Sequence, residues 1–166
     1  MNIEIVKVGY LETNCYILSL NNKVLVIDPG DEIDKIKKVI NEREVVGCII
    51  THYHFDHVGA IKYFKNVYDI NNLKEGINTI DPFTFEVIYT PGHKEDTITI
   101  YFKEKHLMFV GDFIFKDGIG RTDLDGGSTQ DMLNSLKKIS KYNDDIVVYP
   151  GHGDSTKLGL ELAKYK

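Results

Sequence analysis

Four ionisable side chains stand in one short stretch, THYHFDH, wedged between the apolar run VVGCII and the apolar VGAI. Three of the six histidines of the chain fall at 52, 54 and 57, with Asp56 among them. A strand followed by a helix would normally be joined by turn residues, not by four groups that compete for protons or cations. In an extended segment His52 and His54 point the same way, so two imidazoles can converge on one ion at a Zn–N distance of about 2.0 to 2.1 Å. Asp56 and His57, at the turn into the next element, face elsewhere and suit a neighbouring ion. Clusters of this kind at strand ends mark sites more often than solvated turns.

Three further candidates stand at the same kind of place. His93 lies in TPGH after FEVIY, Asp112 in VGD after LMF, and His152 in PGHG after IVVY. Each is carried on a loop held by a strand. His106, in KEKHLMF, serves as the contrast: it stands at a charged hairpin turn and reads as a surface residue.

The rest of the chain supplies a scaffold. IEIVKV, CYILSL and KVLVID read as a strand meander with Asn21-Asn22 as a hairpin turn. DEIDKIKKVINE reads as an amphipathic helix with Ile33, Ile36, Val39 and Ile40 on its apolar side. VVGCIIT is a buried strand, and HVGAIKYFKN is expected to be a helix with Val58, Ile61 and Phe64 on one face. FTFEVIYT, DTITIYF and HLMFVGD are strands, STQDMLNSLKKIS a capped helix, DIVVYPG a strand and STKLGLELAKYK a closing helix. Strands in two runs with helices between them suggest two packed sheets with helices outside, in a single domain over residues 1–166.

Composition narrows the function. Of the 166 residues 42% are hydrophobic and 27% charged, as in ordinary globular chains. The net charge is -5 and no long Lys or Arg run occurs, so nucleic acid is not an expected partner. The first residues show no signal peptide or membrane span. Cys15 and Cys48 sit inside apolar strands and read as small buried hydrophobes, so a cytoplasmic location is expected.

THYHFDH resembles the T-H-x-H-x-D-H signature of the metallo-β-lactamase superfamily, and TPGH, GD and GHG follow in that family's order. The resemblance runs from VIDPG at 26–30 to GHG at 151–153. GDFIFKDGIGRTDLDGG is most similar to short relatives of hydroxyacylglutathione hydrolase, or glyoxalase II. The resemblance implies a four-layer αββα sandwich. It also implies a first metal on His52, His54 and His93, a second on Asp56, His57 and His152, and Asp112 as the bridge. Zinc is the first expectation, with iron or manganese as alternatives. Asp56 and Asp112 are the carboxylates assigned to catalysis.

Two divalent ions roughly 3.5 to 4 Å apart can share a water and bring its pKa toward about 7, so the expected reaction is hydrolysis by a bridging hydroxide. The expected substrate is a small-molecule thioester with a small acyl group. Alternatives are lactone or phosphodiester hydrolysis, and a mononuclear iron oxygenase similar to persulfide dioxygenases. A β-lactamase proper is less expected, because Asp112 supplies a bridge those enzymes generally lack.

The family often continues TPGH as T-x-G-S, whereas Lys94, Glu95, Asp96 and Thr97 follow here, so the local substrate fit differs. The chain stops about where full-length glyoxalase II begins its helical region, so loose recognition of the thiol is expected. Lys94 and Arg121 are candidate substrate-binding residues for a carboxylate on that thiol. For Arg121 a second reading is an ion pair within the protein. Asp28 in IDPG either orders the ligand loops or stabilises a turn, and Tyr53, between two ligand positions, reads as packing.

Overall fold

A computed structural model describes residues 1–166. The chain begins with strands β1 (Asn2–Val8), β2 (Thr13–Leu20) and β3 (Lys23–Ile27), followed by helix α1 (Ile33–Ile40) and β4 (Glu44–Ile49). The short α2 (Phe55–Val58), β5 (Val67–Tyr68), β6 (Gly76–Ile80), β7 (Phe83–Tyr89), β8 (Ile98–Phe102) and β9 (Leu107–Gly111) come next. A hairpin of β10 (Ile114–Phe115) and β11 (Gly118–Ile119) leads to α3 (Thr129–Ile139), β12 (Val147–Pro150), β13 (Thr156–Lys157) and α4 (Leu158–Leu162).

Two sheets result. The first runs β1-β2-β3-β4-β5, antiparallel through β3 and parallel from β3 to β5. The second runs β13-β12-β9-β8-β7-β6, antiparallel except for the parallel β9/β12 pair. Asn21 and Asn22 both take positive φ, as the tight β2–β3 turn requires.

Strand parity explains the layering. Along KVLVI, Leu25 and Ile27 face the second sheet, where they meet Phe83, Phe85, Ile100 and Phe109. Val24 and Val26 face the other way and pack under Ile36 and Ile40 of α1. On the second sheet Met108, Val110 and Val148 pack under Met132, Leu136 and Ile139 of α3 and Leu158 and Leu162 of α4. A strand buried on both faces needs an unbroken apolar run, which is what KVLVI and LMFVG provide. The order is therefore helix, sheet, sheet, helix, the αββα sandwich of the metallo-β-lactamase fold. No helix is long and apolar enough to cross a membrane.

Two local expectations need correction. HVGAIKYFKN is not one helix: α2 ends at Val58 and a single 3-10 turn follows at Ile61–Tyr63. The Ala60 N–H, which a continued helix would give to Asp56, donates instead to the Pro29 carbonyl at 2.9 Å. The IDPG loop thus caps the helix from outside. STKLGLELAKYK opens as a short strand, β13, before the five residues of α4. Strands β5, β6, β10, β11 and β13 carry too few residues or too little alternation to stand out in sequence.

Candidate metal centre

Topology gathers the candidate ligands. Strands β7, β9 and β12 run in one direction, since β7 and β9 are both antiparallel to β8 and β12 is parallel to β9. Their C-terminal ends, carrying His93, Asp112 and His152, therefore share one edge. The end of β4 is joined to the second sheet there by the Ile98 N–H, which donates to the Thr51 carbonyl at 2.9 Å. That brings in His52, His54, Asp56 and His57.

All seven side chains meet in two groups. The ligand atoms of His52, His54 and His93 lie within 4.8 Å of one another, as do those of Asp56, His57, Asp112 and His152. His54 Nδ1 and His93 Nε2 are 2.9 Å apart. Asp112 stands between the groups: Oδ1 is 3.2 Å from His57 Nε2, while Oδ2 is 3.5 Å from both His93 Nε2 and His152 Nε2. His52 Nε2, His57 Nε2 and Asp112 Oδ1 are buried without a hydrogen-bond partner. The His57–Asp112 contact lacks hydrogen-bond geometry, and leaving three such buried atoms without a hydrogen bond is costly unless a cation takes their lone pairs. The donor set of imidazole nitrogens and carboxylates fits zinc, iron or manganese.

The groups differ in charge. Burial and the neighbouring His57 hold His52 well below the usual histidine range, and burial and His93 lower His54. Burial also disfavours charge on His57, but Asp28 and Asp112 outweigh it and push its pKa up to about 10. His152 follows the same pattern: Asp112 and Asp56 overcome burial and raise it to about 9. Against burial, bonds from His152 and Thr13 together with the charge of His57 hold Asp56 at about 2, and His152 and His57 hold Asp112 far below the carboxylate range.

A supporting shell positions these groups. Asp28 accepts from the Thr51 N–H at 2.8 Å and the Thr51 hydroxyl at 2.6 Å, and its Oδ2 lies 2.8 Å from His57 Nδ1. Of the two readings of Asp28 the geometry favours ordering the ligand loops, and it orients His57. The Arg121 carbonyl lies 2.8 Å from His93 Nδ1, and the Leu11 carbonyl lies 3.1 Å from His152 Nδ1. The Thr13 hydroxyl donates to Asp56 at 2.9 Å. Asn14 Nδ2 donates to the carbonyls of Pro150 and Gly153 at 3.1 and 2.9 Å, and the Tyr16 hydroxyl also donates to Pro150. Two glycines are required by contact: a Cβ on Gly111, at φ +54°, would lie 2.4 Å from Thr51 Oγ1, and one on Gly151 would lie 2.2 Å from Asp112 Oδ1.

Leu11, Thr13, Asn14 and Tyr16 escaped the sequence reading, which took CYILSL simply as a strand. A polar Thr-Asn pair opening an otherwise apolar strand was the available signal. Tyr53 does more than pack: its N–H donates to Asp96 at 3.0 Å and its hydroxyl to Asp69 at 2.5 Å. Arg121 is exposed, and its fork is closed on Asp123 at 2.7 and 2.9 Å. Lys94 lies 3.5 Å from both Glu95 and Asp96. His106 stays outside the centre, exposed and 3.5 Å from Asp145. Cys15 and Cys48 are free and buried, and burial raises both thiols.

The fold and the two ligand groups define a metallo-hydrolase. The metallo-β-lactamase superfamily pattern matches residues 8–77 and 74–152, and the chain belongs to that superfamily. A hydroxyacylglutathione hydrolase, GloC, from Haemophilus influenzae is 30% identical over 97% of this chain and 95% of its own length. Among solved structures, the BLEG-1 B3 metallo-β-lactamase matches with a TM-score of 0.92 at 27% identity, over 98% of this chain and 97% of its own. TTHA1623, solved in a di-iron-bound form, matches with a TM-score of 0.86 at 28% identity, over 95% and 96%.

Proposed function

We propose that this protein hydrolyses thioesters at a two-metal centre, with His52, His54 and His93 holding one ion, Asp56, His57 and His152 the other, and Asp112 bridging. The observation that carries this reading is the placement of Asp112, whose Oδ2 lies 3.5 Å from both His93 and His152, one from each ligand group, while Oδ1 faces His57. Two divalent ions held there would supply an activated water and polarise the carbonyl under attack, so no serine or cysteine nucleophile would be needed.

The remaining work falls to this chain's own residues. Asp56, ionised at neutral pH and 3.0 Å from His152 Nε2, is placed to hold the second ion and to orient the attacking water as a hydrogen-bond acceptor. Thr13 fixes that carboxylate, and Asp28 fixes His57. On the rim, Lys94 and Arg121 are the cations available to a carboxylate on the thiol. Both already face acidic neighbours, which supports loose rather than tight recognition of the thiol half.

The thioester choice is supported by the likeness to the Haemophilus hydroxyacylglutathione hydrolase. The likeness to the BLEG-1 enzyme favours a second reading, β-lactam hydrolysis at the same centre. The test is a panel of thioesters, a β-lactam, a lactone and a phosphodiester, assayed with zinc-, iron- and manganese-loaded protein whose metal content is measured. Two metals per chain and thioester kcat/KM above all other classes is the expected result. Faster β-lactam turnover, or uptake that stops at one metal, would overturn it.

A further inference from the structure

His54 and His93 bring ring nitrogens to 2.9 Å from loops that are 39 positions apart in the chain. Two such loops can present one ligand set only as accurately as they are fastened to each other. Two hydrogen bonds fasten them. The Ile98 N–H donates to the Thr51 carbonyl at 2.9 Å. Two residues further along each segment, the Tyr53 N–H donates to Asp96 Oδ2 at 3.0 Å. Pairing 51 with 98 and then 53 with 96 is the step of an antiparallel ladder, in which the Asp96 side chain takes the part of a backbone carbonyl.

The surroundings of Asp96 suit that part. Its side chain is 16% exposed, with Lys94 Nζ 3.5 Å from Oδ2. The Thr97 N–H and hydroxyl both return to the Lys94 carbonyl, at 3.3 and 2.9 Å, and close the turn that carries Asp96. Tyr53 is fixed at its far end as well, where its hydroxyl meets Asp69. An N–H bonded to a carboxylate is held more strongly than one bonded to a neutral carbonyl. Asp96 Oδ1 is buried without a hydrogen-bond partner, which costs stability, so the carboxylate is placed for something other than stability. Where the T-x-G-S continuation has glycine, this chain has Asp96. A glycine has no side chain to offer, so the fastening belongs to this chain's own loop.

We propose that Asp96 is a positioning residue that, through the Tyr53 N–H, sets the separation of His54 and His93 and with it the affinity of the three-histidine group for its ion. This rests on metal binding by His52, His54 and His93 and not on which bond the protein cleaves.

Three variants separate the hydrogen bond from the charge. Asp96→Asn keeps an acceptor, Asp96→Ala removes it, and Glu95→Ala removes a neighbouring carboxylate that makes no bond to Tyr53. Hydrogen exchange at the Tyr53 amide is measured in the metal-free protein. Zinc is then titrated stepwise while the ring signals of His54 and His93 are followed by NMR, which identifies the step belonging to their group. In Asp96→Ala the amide should exchange faster and that step should weaken about tenfold. The other step and the urea midpoint should stay as they are. Asp96→Asn and Glu95→Ala should match the unaltered protein. Equal losses in Asp96→Asn and Asp96→Ala would overturn the proposal, because charge would then be the cause. So would an Asp96→Ala protein that keeps its zinc affinity, or one that loses both steps together with its urea midpoint. Absence of thioester turnover beside a selective loss in Asp96→Ala would overturn the thioester reading and uphold the role of Asp96.

Discussion

The same side chain, histidine, does two electrostatic jobs within a few ångströms. In the group of His52, His54 and His93, burial and neighbouring imidazoles keep His52 and His54 uncharged, so they are ready to donate lone pairs. In the group of Asp56, His57, Asp112 and His152, carboxylates hold protons on His57 and His152 well above neutrality. Surroundings therefore decide whether an imidazole waits as a ligand or as a cation whose proton a metal must displace. A site read only as seven ligands misses this asymmetry.

The bridge offers the harshest test of the contrast. Two dications about 3.5 Å apart repel by on the order of 20 kcal/mol at an effective dielectric near 20. Asp112→Ala should lose at least one metal by elemental analysis and nearly all activity, whereas His106→Ala should do neither. Equal damage from the two changes would falsify the bridging assignment.

Next in size is Asp28→Asn, which removes the charge beside His57 and reaches the three-histidine group only through Thr51, whose hydroxyl lies 3.1 Å from His52 Nδ1. Its metal affinity should fall about 10- to 100-fold at the carboxylate-rich group and by less at the other, read from stepwise zinc titration. Matching losses at both groups would erase the distinction.

Proton counting sharpens the comparison further. At pH 7.5 His57 and His152 both lie below their pKa values of about 10 and 9 and carry protons. Zinc uptake should therefore show one step that releases close to two protons and one that releases clearly fewer, measured by calorimetry in buffers of different ionisation enthalpy. The sign for the metal-free protein follows. His57, raised from 6.5, contributes stability that is full below pH 6.5 and lost as pH rises through about 10. Asp56, lowered from 3.8, contributes stability that is present above pH 3.8 and lost as pH falls through about 2. Urea unfolding of the metal-free protein should show lower stability at pH 9.5 than at pH 6.

The smallest effect belongs to the rim. Arg121→Ala breaks an exposed pair with Asp123 and should leave the urea midpoint of unfolding essentially unchanged. Its carbonyl, the part that meets His93, is backbone and remains. A large loss of metal in this variant would show that the guanidinium, not the carbonyl, orders His93.

All seven candidate ligand positions, which the fold brings together, were legible because each stands just past a strand of unmistakable apolar character. The layers were legible for the same reason, through KVLVI and LMFVG. What stayed hidden was relational. Nothing local in YLETN says that Leu11, Thr13 and Asn14 hold His152, Asp56 and the Pro150 loop, since those partners lie more than forty positions away. The helix expected over HVGAIKYFKN failed on a contact as remote, the Pro29 carbonyl taking the Ala60 amide. Periodicity reports what a segment prefers in isolation and is silent about a distant loop that competes for its hydrogen bonds.

The clasp between Asn14 and the loop at 150–153 has a consequence for how the protein comes into being. Its bonds span 136 and 139 residues, so they close only after nearly all the chain between them is in place. Contacts of such separation form late, because a long loop must be closed before they reward it. During synthesis from the N-terminus, His52, His54, Asp56 and His57 emerge long before the segment that completes their site. A growing chain thus presents only part of the candidate ligand set, and the complete set becomes a mark of finished folding.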